Sequence, residues 1–283
     1  MVKFGTAGLD ENFSLQGHKK TIEVPTYLSN MGLDAFEYQC GRGVKIKEAA
    51  AIEFGKEAAA KGITLSLHAP YYISMSSLEE EKRLNSVGYI IDSAKAIKAM
   101  GGKRVIFHSG SCAKLPREAA LAKAVDTMGL IMKALDENGL GDITVCPETM
   151  GKVNQLGTLE EVIALCKIDP ILCPVVDWGH LNARAVGGQF SDADAYRRVF
   201  FSIGEALGDS YAKNLHCHFS KIQYTDKGEK CHLTFEDSIY GPDFAPLAEV
   251  IARDSLSPRI ICESAGTQAD DALFMKNTLK NLI

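Results

Sequence analysis

Segments that mark exported and membrane-spanning proteins are missing from this sequence of 283 residues. No run of about eighteen apolar residues occurs, so the sequence predicts no membrane-spanning helix. The stretch from Met1 to His18 contains no apolar block, and we therefore expect no signal peptide. The sequence is interpreted as that of a cytoplasmic protein without a membrane partner.

Paired cysteines and a strong net charge of one sign are missing as well. The eight cysteines form no C-x-x-C pair, and several lie within apolar, strand-like runs. Such thiols are typically buried and inert in a reducing cytosol. The formal net charge of −5 argues against broad non-specific binding of nucleic acid but leaves room for a local basic groove. No feature of the sequence indicates an obligatory protein partner.

The sequence does contain a regular alternation of strand-like and helix-like segments. Eight short apolar runs rich in β-forming residues cover residues 2–6, 33–37, 63–68, 103–108, 143–148, 172–177, 214–219 and 259–263. Between them, apolar side chains recur every three or four residues, as on one face of a helix. These segments cover residues 78–100, 117–138, 159–167, 191–207, 243–252 and 269–281. Ser77 with Glu80 and Thr158 with Glu161 predict capping boxes at two helix starts.

This alternation indicates parallel strands joined by crossover helices. Eight such units in 283 residues match the count and length of a closed (β/α)8 barrel. A doubly wound open sheet is the alternative, but no G-x-G-x-x-G motif follows the first strand. No linker rich in Pro, Gly or Ser interrupts the chain. The sequence therefore predicts an α/β protein in which residues 1–283 form a single (β/α)8 TIM barrel.

Side chains that bind metals lie at the ends of six successive predicted strands. In chain order they are His68, His108, Glu148, Asp177, the pair His216 and His218, and Glu263. The carboxyl ends of barrel strands open onto one face, where active sites are built. One histidine at a strand end is usually structural, but a run of six such ends is hard to explain in that way. Buried carboxylates without partners are costly, and shared cations would remove the cost.

The mixture of histidine and carboxylate suits zinc, manganese or iron better than calcium or magnesium. So many ligands exceed the needs of one ion, so the sequence predicts two or three ions. Such clusters activate water and stabilise charge on a phosphoryl oxygen. His180, three residues after Asp177, and His232, after the seventh strand, are further candidate ligands.

At these residues the sequence resembles the endonuclease IV family, the metal-dependent apurinic/apyrimidinic endonucleases of the xylose-isomerase-like barrel superfamily. The fragments that carry the resemblance are LHAPYYISM at 67–75, FHSGS at 107–111, PETMGK at 147–152, VVDWGH at 175–180, LHCHFSK at 215–221 and ICES at 261–264. Each fragment is weak alone, but six in the right order are specific. The resemblance runs from the first strand to the last.

The resemblance implies a site for three metals, with zinc as the expected ion and manganese or iron as possible replacements. It implies that His68 and His108 hold one ion and that Glu148 bridges to a second. The second ion would be held by Glu148, Asp177, His216 and Glu263. His180 would hold the third ion together with an Asp-x-His pair from the loop after the seventh strand.

The sequence departs from the family in and after the seventh strand. The segment YTDKGEKCHLTF at 224–235 contains no Asp-x-His, and Glu229 with His232 is the nearest replacement, at a spacing one residue longer. The family has HLND where this chain has HCHF. Counting back from Ser220 assigns the ligand to His216. His218 points to the same face of the strand, where it contacts substrate or is itself the ligand.

The family also inserts an aromatic and an arginine side chain into damaged DNA from loops after early strands, as minor-groove wedges do. Tyr71 matches the aromatic position by its spacing from His68, and a rim tyrosine is the structural alternative. Arg42 lies in the corresponding earlier loop, although the motif around it is absent. We interpret Tyr71, Arg42 and His218 as candidate substrate-binding residues.

The function that the resemblance implies is hydrolysis of DNA on the 5′ side of an abasic site. A hydroxide that bridges the metals would attack the phosphorus, with Glu148 as the central catalytic carboxylate and abasic DNA as the partner. The alternative is a sugar isomerase or epimerase of the same superfamily, which resembles this chain at Glu148, Asp177, His216 and Glu263 and holds one ion. A metal-dependent nucleic-acid binder without catalysis is the third possibility.

Overall fold

Eight parallel strands of the chain form one sheet in the computed structural model, which describes residues 1–283. The strands of this sheet are β1 Lys3–Ala7, β2 Ala35–Gln39, β3 Thr64–His68, β4 Arg104–Phe107, β5 Thr144–Pro147, β6 Val175–Asp177, β7 His216–Phe219 and β10 Arg259–Cys262. Their order is β5-β4-β3-β2-β1-β10-β7-β6. A parallel bridge between Glu148 and Val175 joins the two ends of the sheet. The predicted (β/α)8 barrel is therefore confirmed.

The helices surround this barrel. They are α1 Glu11–Leu15, α2 Val24–Asn30, α3 Glu48–Ala60, α4 Glu80–Ala99, α5 Arg117–Glu137, α6 Leu159–Cys166, α7 Trp178–Arg184, α8 Ala193–Leu207, α9 Asp209–Lys213, α10 Ala245–Arg253 and α11 Gln268–Lys280. The six predicted helices are confirmed within about two residues at each end. Helices α1, α2, α3, α7 and α9 were not predicted. The sequence of α3, EAAAIEFGKEAAA, is so rich in alanine that its buried face has little apolar contrast.

The two predicted capping boxes have different outcomes. At α6, Thr158 accepts from the backbone N–H of Glu161, and the Glu161 carboxylate accepts from the N–H of Thr158. The predicted box of Ser77 with Glu80 is wrong. Helix α4 begins at Glu80 without a side-chain cap, because the Ser77 hydroxyl accepts from the N–H of Glu79 instead.

The main apolar core lies between the barrel strands and the helices that surround them. A contiguous set of 63 buried apolar residues packs among the helices and strands. A second and much smaller apolar cluster consists of Ile106, Cys146 and Val175. Fully buried polar groups, such as Glu37, Ser66 and His218, lie on the barrel strands. A barrel interior is ordinarily filled by bulky branched side chains, so this polar filling points to a function.

The segment after β7 is a hairpin rather than the loop that the sequence predicted. Strands β8 Ile222–Thr225 and β9 Gly228–His232 pair in antiparallel fashion. Gly228 has φ +88°, and a Cβ there would lie 2.1 Å from the carbonyl oxygen of Gly151. The N–H of Glu229 donates to that same oxygen at 3.1 Å. The hairpin thus docks closely on the segment that follows β5.

The cysteines agree only in part with the prediction of buried thiols. Five of the eight are buried, two are half-buried, and Cys231 in β9 is exposed. Burial raises the pKa of the Cys40 thiol to about 12, so this thiol stays protonated and unreactive. For membrane insertion, none of the helices combines the length and the apolar character that crossing a bilayer requires.

Candidate metal centre

The candidate ligands meet in an open cavity of about 690 Å³ at the carboxyl end of the barrel strands. Its lining includes Gln39, Arg42, His68, Tyr71, His108, Lys152, Gln155, His180, Glu229, His232, Glu263 and Gln268. Three groups of histidines and carboxylates lie in or directly beneath this cavity, and within each group the possible ligand atoms lie within 4.8 Å of one another.

The first group consists of His68, His108 and Glu148. Nε2 of His68 lies 3.2 Å and Nε2 of His108 lies 3.3 Å from Oε2 of Glu148. Nδ1 of His68 is 2.9 Å from the carbonyl oxygen of Ala69, and it therefore carries the proton and donates. The Nε2 lone pair of His68 is thereby left facing Glu148, as in histidines that bind metals.

The second group consists of Glu148, Asp177, His218 and Glu263. Nδ1 of His218 lies 3.1 Å from Oε1 of Glu148 and 3.5 Å from Oε1 of Glu263. Oδ2 of Asp177 is buried and accepts no hydrogen bond. Glu148 belongs to both groups because its Oε2 faces the first and its Oε1 faces the second. A bridging carboxylate has this arrangement.

His216 does not join this group, so the expectation that it would is corrected. It is the first residue of β7, and its Nε2 lies 3.1 Å from Oε2 of Glu37. Alternate residues of a strand share a face, and His218 is two residues nearer to the open end. Counting back from Ser220 therefore selected an inward-facing histidine at the wrong depth.

The third group consists of His180, Glu229 and His232. Nε2 of His180 lies 3.4 Å from Oε2 of Glu229. The other nitrogen of His180 lies 2.9 Å from the carbonyl oxygen of Thr149, and Nδ1 of His232 lies 2.8 Å from the hydroxyl of Ser220. Both imidazoles therefore have one nitrogen tied to the protein and the other available.

A β-bulge explains the unusual spacing of the two hairpin residues. Gln223 pairs with Cys231, whereas the next residue, Tyr224, pairs with Glu229, so Lys230 has no partner across the hairpin. A bulge of this kind adds one residue to a strand without changing which face the flanking residues share. Glu229 and His232, three residues apart, consequently lie on one face, as residues two apart do in a regular strand.

The electrostatics of the centre favour a bound cation. Burial raises the pKa of Glu148, but the imidazoles of His218 and His108 outweigh burial and hold that pKa well below its usual range. Burial, reinforced by the carboxylates of Glu148 and Asp177, raises the pKa of Glu263 to about 8. The imidazole of His218, 3.5 Å away, lowers this pKa but does not offset burial and the neighbouring carboxylates. Together with Oδ2 of Asp177, which is buried and accepts no hydrogen bond, this makes the donor set a good fit for metal ions.

Glu37 belongs to the surroundings of the centre but was not predicted from the sequence. It is the third residue of β2, is fully buried, and lies within hydrogen-bond distance of His216 and His218. Burial raises its pKa, but these two imidazoles outweigh burial and hold the pKa well below its usual range. The signal was present, because Glu37 ends the second predicted strand just as His68 ends the third.

The proposed substrate-binding residues lie in two places. Tyr71 is exposed at the rim, and its ring stacks on that of His108 with centroids 5.4 Å apart. Arg42 lines the same cavity, and so does Lys152, which the sequence analysis did not select. His218, in contrast, is fully buried within the second group, where it is a candidate ligand rather than a substrate contact.

Comparisons of the sequence find relatives over most of the chain. The model of the xylose isomerase-like TIM barrel family matches residues 25–278. An uncharacterized protein of Methanocaldococcus jannaschii is 31% identical over 279 residues, which are 98% of this chain and 96% of that one. A Ureaplasma urealyticum protein named "Probable endonuclease 4" is 25% identical over 162 residues, which are 56% of this chain and 51% of that one.

Comparisons of the structure find two kinds of enzyme with this fold. Endonuclease IV from Thermus thermophilus superposes with a TM-score of 0.69 at 18% identity, over 99% of this chain and 98% of that one. A D-tagatose 3-epimerase-like protein superposes with a TM-score of 0.71 at 19% identity, over 99% of this chain and 97% of that one. At such identities the likeness establishes the fold alone.

Proposed function

This chain belongs to the xylose isomerase-like TIM barrel family, and we propose that it is a metal-dependent phosphodiester hydrolase that acts on DNA at abasic sites. The observation that carries the proposal is the placement of three ligand groups side by side, with Glu148 facing two of them. Hydrolysis of phosphodiesters is typical of centres that hold two or more ions a few ångströms apart.

Each ligand group would hold one ion. His68 and His108 would hold one ion with Glu148, and the second group would hold another. His180, Glu229 and His232 would hold the third. Zinc suits these donors best, and manganese or iron is acceptable. When bound, the ions would lower the pKa of a water and stabilise the charge that develops on the phosphoryl oxygens.

The remaining chemistry falls to the cavity and its rim. Water adds to the phosphorus and the bond to the 3′ oxygen breaks, so that oxygen takes up a proton and leaves as a 3′-hydroxyl. The cationic side chains of Arg42 and Lys152 line the cavity, where they would contact flanking phosphates. The exposed ring of Tyr71 would stack in the space that the missing base leaves.

A sugar isomerase or epimerase is the second candidate, because the second ligand group alone could hold one ion against a sugar. The fold is shared with an epimerase-like protein, so the fold does not separate the candidates. The first and third groups do favour the hydrolase. In an enzyme with one ion, the oriented imidazoles of His68, His180 and His232 would have no metal to bind.

The proposal is tested with duplex DNA that carries one abasic analogue, beside the same duplex with an intact base. The protein loaded with zinc or manganese should nick only the abasic duplex, leave an end that a polymerase can extend, and lose activity on chelation. Absence of nicking together with epimerisation of a ketose would establish the second candidate instead. Metal-dependent DNA binding without either reaction would identify a binding protein.

A further inference from the structure

His218 differs from the other oriented imidazoles of the centre in the group that faces its outer nitrogen. Backbone carbonyls face Nδ1 of His68 and of His180. The outer nitrogen of His218 is Nε2, and it lies 3.0 Å from Oε1 of Glu37. This nitrogen is buried, and apart from this close contact with Glu37 it has no hydrogen-bond partner in the structure. The nearest group behind His218 is therefore a carboxylate, whereas a backbone carbonyl is nearest behind each of the other two. Nδ1 of His180 also lies 3.3 Å from the carboxylates of Glu148 and Asp177.

Further contacts fix the carboxylate of Glu37. The hydroxyl of Ser66 donates to Oε2 at 2.9 Å, and Nε2 of His216 lies 3.1 Å from that same oxygen. On its other side, Nδ1 of His216 lies 3.5 Å from Nη1 of Arg104. A guanidinium only donates, so Nδ1 of His216 accepts and its Nε2 carries the proton that faces Glu37.

We propose that Glu37 is a positioning residue that prepares His218 to bind metal. This inference rests on the proposed metal centre. In this role Glu37, whose Oε1 lies 3.0 Å from Nε2 of His218, would accept the Nε2 proton, and the lone pair of Nδ1 would be directed towards Glu148 and Glu263. A carboxylate behind a ligating histidine fixes the tautomer and the ring orientation, and it strengthens the bond to the metal. Ser66 and the Arg104–His216 pair hold Glu37 in place for this purpose.

A different reading would make Glu37, His216 and His218 a metal site of their own, because their ligand atoms also lie within 4.8 Å of one another. The contact with Arg104 argues against it. An ion on Nε2 of His216 would require the proton to sit on Nδ1, where it would face an N–H of the guanidinium. The arrangement is a series of close polar contacts that leads from Arg104 through His216 to Glu37.

The test measures metal affinity without DNA, by chelator competition and by the absorption spectrum of the cobalt-loaded protein. In Glu37→Gln, the ion of the second group should bind about 10–100-fold more weakly, and the cobalt spectrum should change. Ser66→Ala is the matched control, since it removes a hydrogen bond from the same carboxylate and touches no imidazole. Its metal affinity should fall by less than that of Glu37→Gln, because the carboxylate of Glu37 and its contact with His218 remain.

Two further variants cover the remaining outcomes. If Glu37→Gln does not fold, Glu37→Asp shortens the same carboxylate out of reach of His218, and the same loss of affinity is expected. His216→Gln should retain every ion, and loss of a whole ion in this variant would overturn the inference in favour of the separate metal site.

The inference and the proposed function fail in different ways. Unchanged affinity in the Glu37 variants would overturn the role of Glu37 and leave the hydrolase standing. A parent protein that binds the ions but cuts no abasic DNA would overturn the hydrolase, while weaker binding in Glu37→Gln would still support the inference. A parent protein that binds no ion would overturn both.

Discussion

Apart from His180, which lies in α7, the candidate ligands of this centre come from two kinds of backbone. Six of them, His68, His108, Glu148, Asp177, His218 and Glu263, lie in barrel strands or immediately after them. Glu229 and His232 lie on a two-stranded hairpin outside the barrel sheet, which docks on the segment after β5. The barrel strands that carry the first six ligands are fixed by neighbouring strands on both sides. The second kind is held by packing against α7 and by hydrogen bonds to the segment after β5, rather than by neighbouring barrel strands.

This difference has an energetic consequence. Glu148 and Asp177 are fully buried, so without cations they destabilise the folded barrel, and metal binding is coupled to its stability. The side chain of Glu229 keeps 13% of its surface exposed, and water can replace a lost ion there. We therefore expect the barrel ions to bind tightly and the hairpin ion to exchange more readily.

Replacing the shared carboxylate should have the largest effect. Glu148→Gln puts a neutral amide between two groups, so both barrel ions should bind more weakly. Loss of about 4 kcal/mol of charge stabilisation would lower DNA incision by about 10³-fold. Incision kinetics and metal content are measured on the same preparation. An active variant with full metal content would remove Glu148 from the centre of the site.

Removing a hairpin ligand should affect one ion alone. In His232→Ala we expect about one ion per chain fewer than in the parent, because His180 and Glu229 alone are too few ligands. Lys230→Ala is the matched control, since this bulged residue of the same strand is exposed. An unchanged ion count in His232→Ala would end the idea of a third site.

Proton competition should be visible at the barrel ions. Below pH 8 the metal-free protein holds a proton on Glu263, whose pKa is raised to about 8, and an incoming ion must displace it. Metal affinity should therefore rise by at least about tenfold per pH unit between pH 6 and 8. Chelator competition in His232→Ala isolates these ions. An affinity that is flat over this range would contradict the protonated state of Glu263.

The smallest effect is expected from deleting Lys230. The deletion removes the bulge and leaves Glu229 and His232 two residues apart on one face of a regular strand. The ion count should then equal that of the parent protein. Loss of the third ion would show that the bulge itself, and not only the shared face, positions the two side chains.

The eight barrel strands and six of the eleven helices were predicted from the sequence. The spacing of apolar side chains along a strand or a helix is a local property of that segment, so it can be recognised without the fold. The ends of the strands also indicated most of the centre, since in a parallel barrel these ends share one face. The depth of a side chain within a strand is not local. His216 and His218 point the same way, and only the register of β7 against its neighbours assigns His218 to the ligand group.

The hairpin could not be predicted for a related reason. Its bulge at Lys230 and the close approach of Gly228 to Gly151 arise from contacts between distant segments. The residue types of Glu229 and His232 were a sufficient signal for their selection, although the segment was interpreted as a loop. Glu37 carried the same signal as the other strand ends and was overlooked.

The most direct test of the proposed metal centre is the number of metal ions per chain in protein purified without chelators. A centre built from three ligand groups, two of them joined by Glu148, predicts two or three bound ions, with the third lost first on dialysis. Elemental analysis against protein concentration gives this number. One ion or none would contradict the multi-ion centre and, with it, the phosphodiester hydrolase.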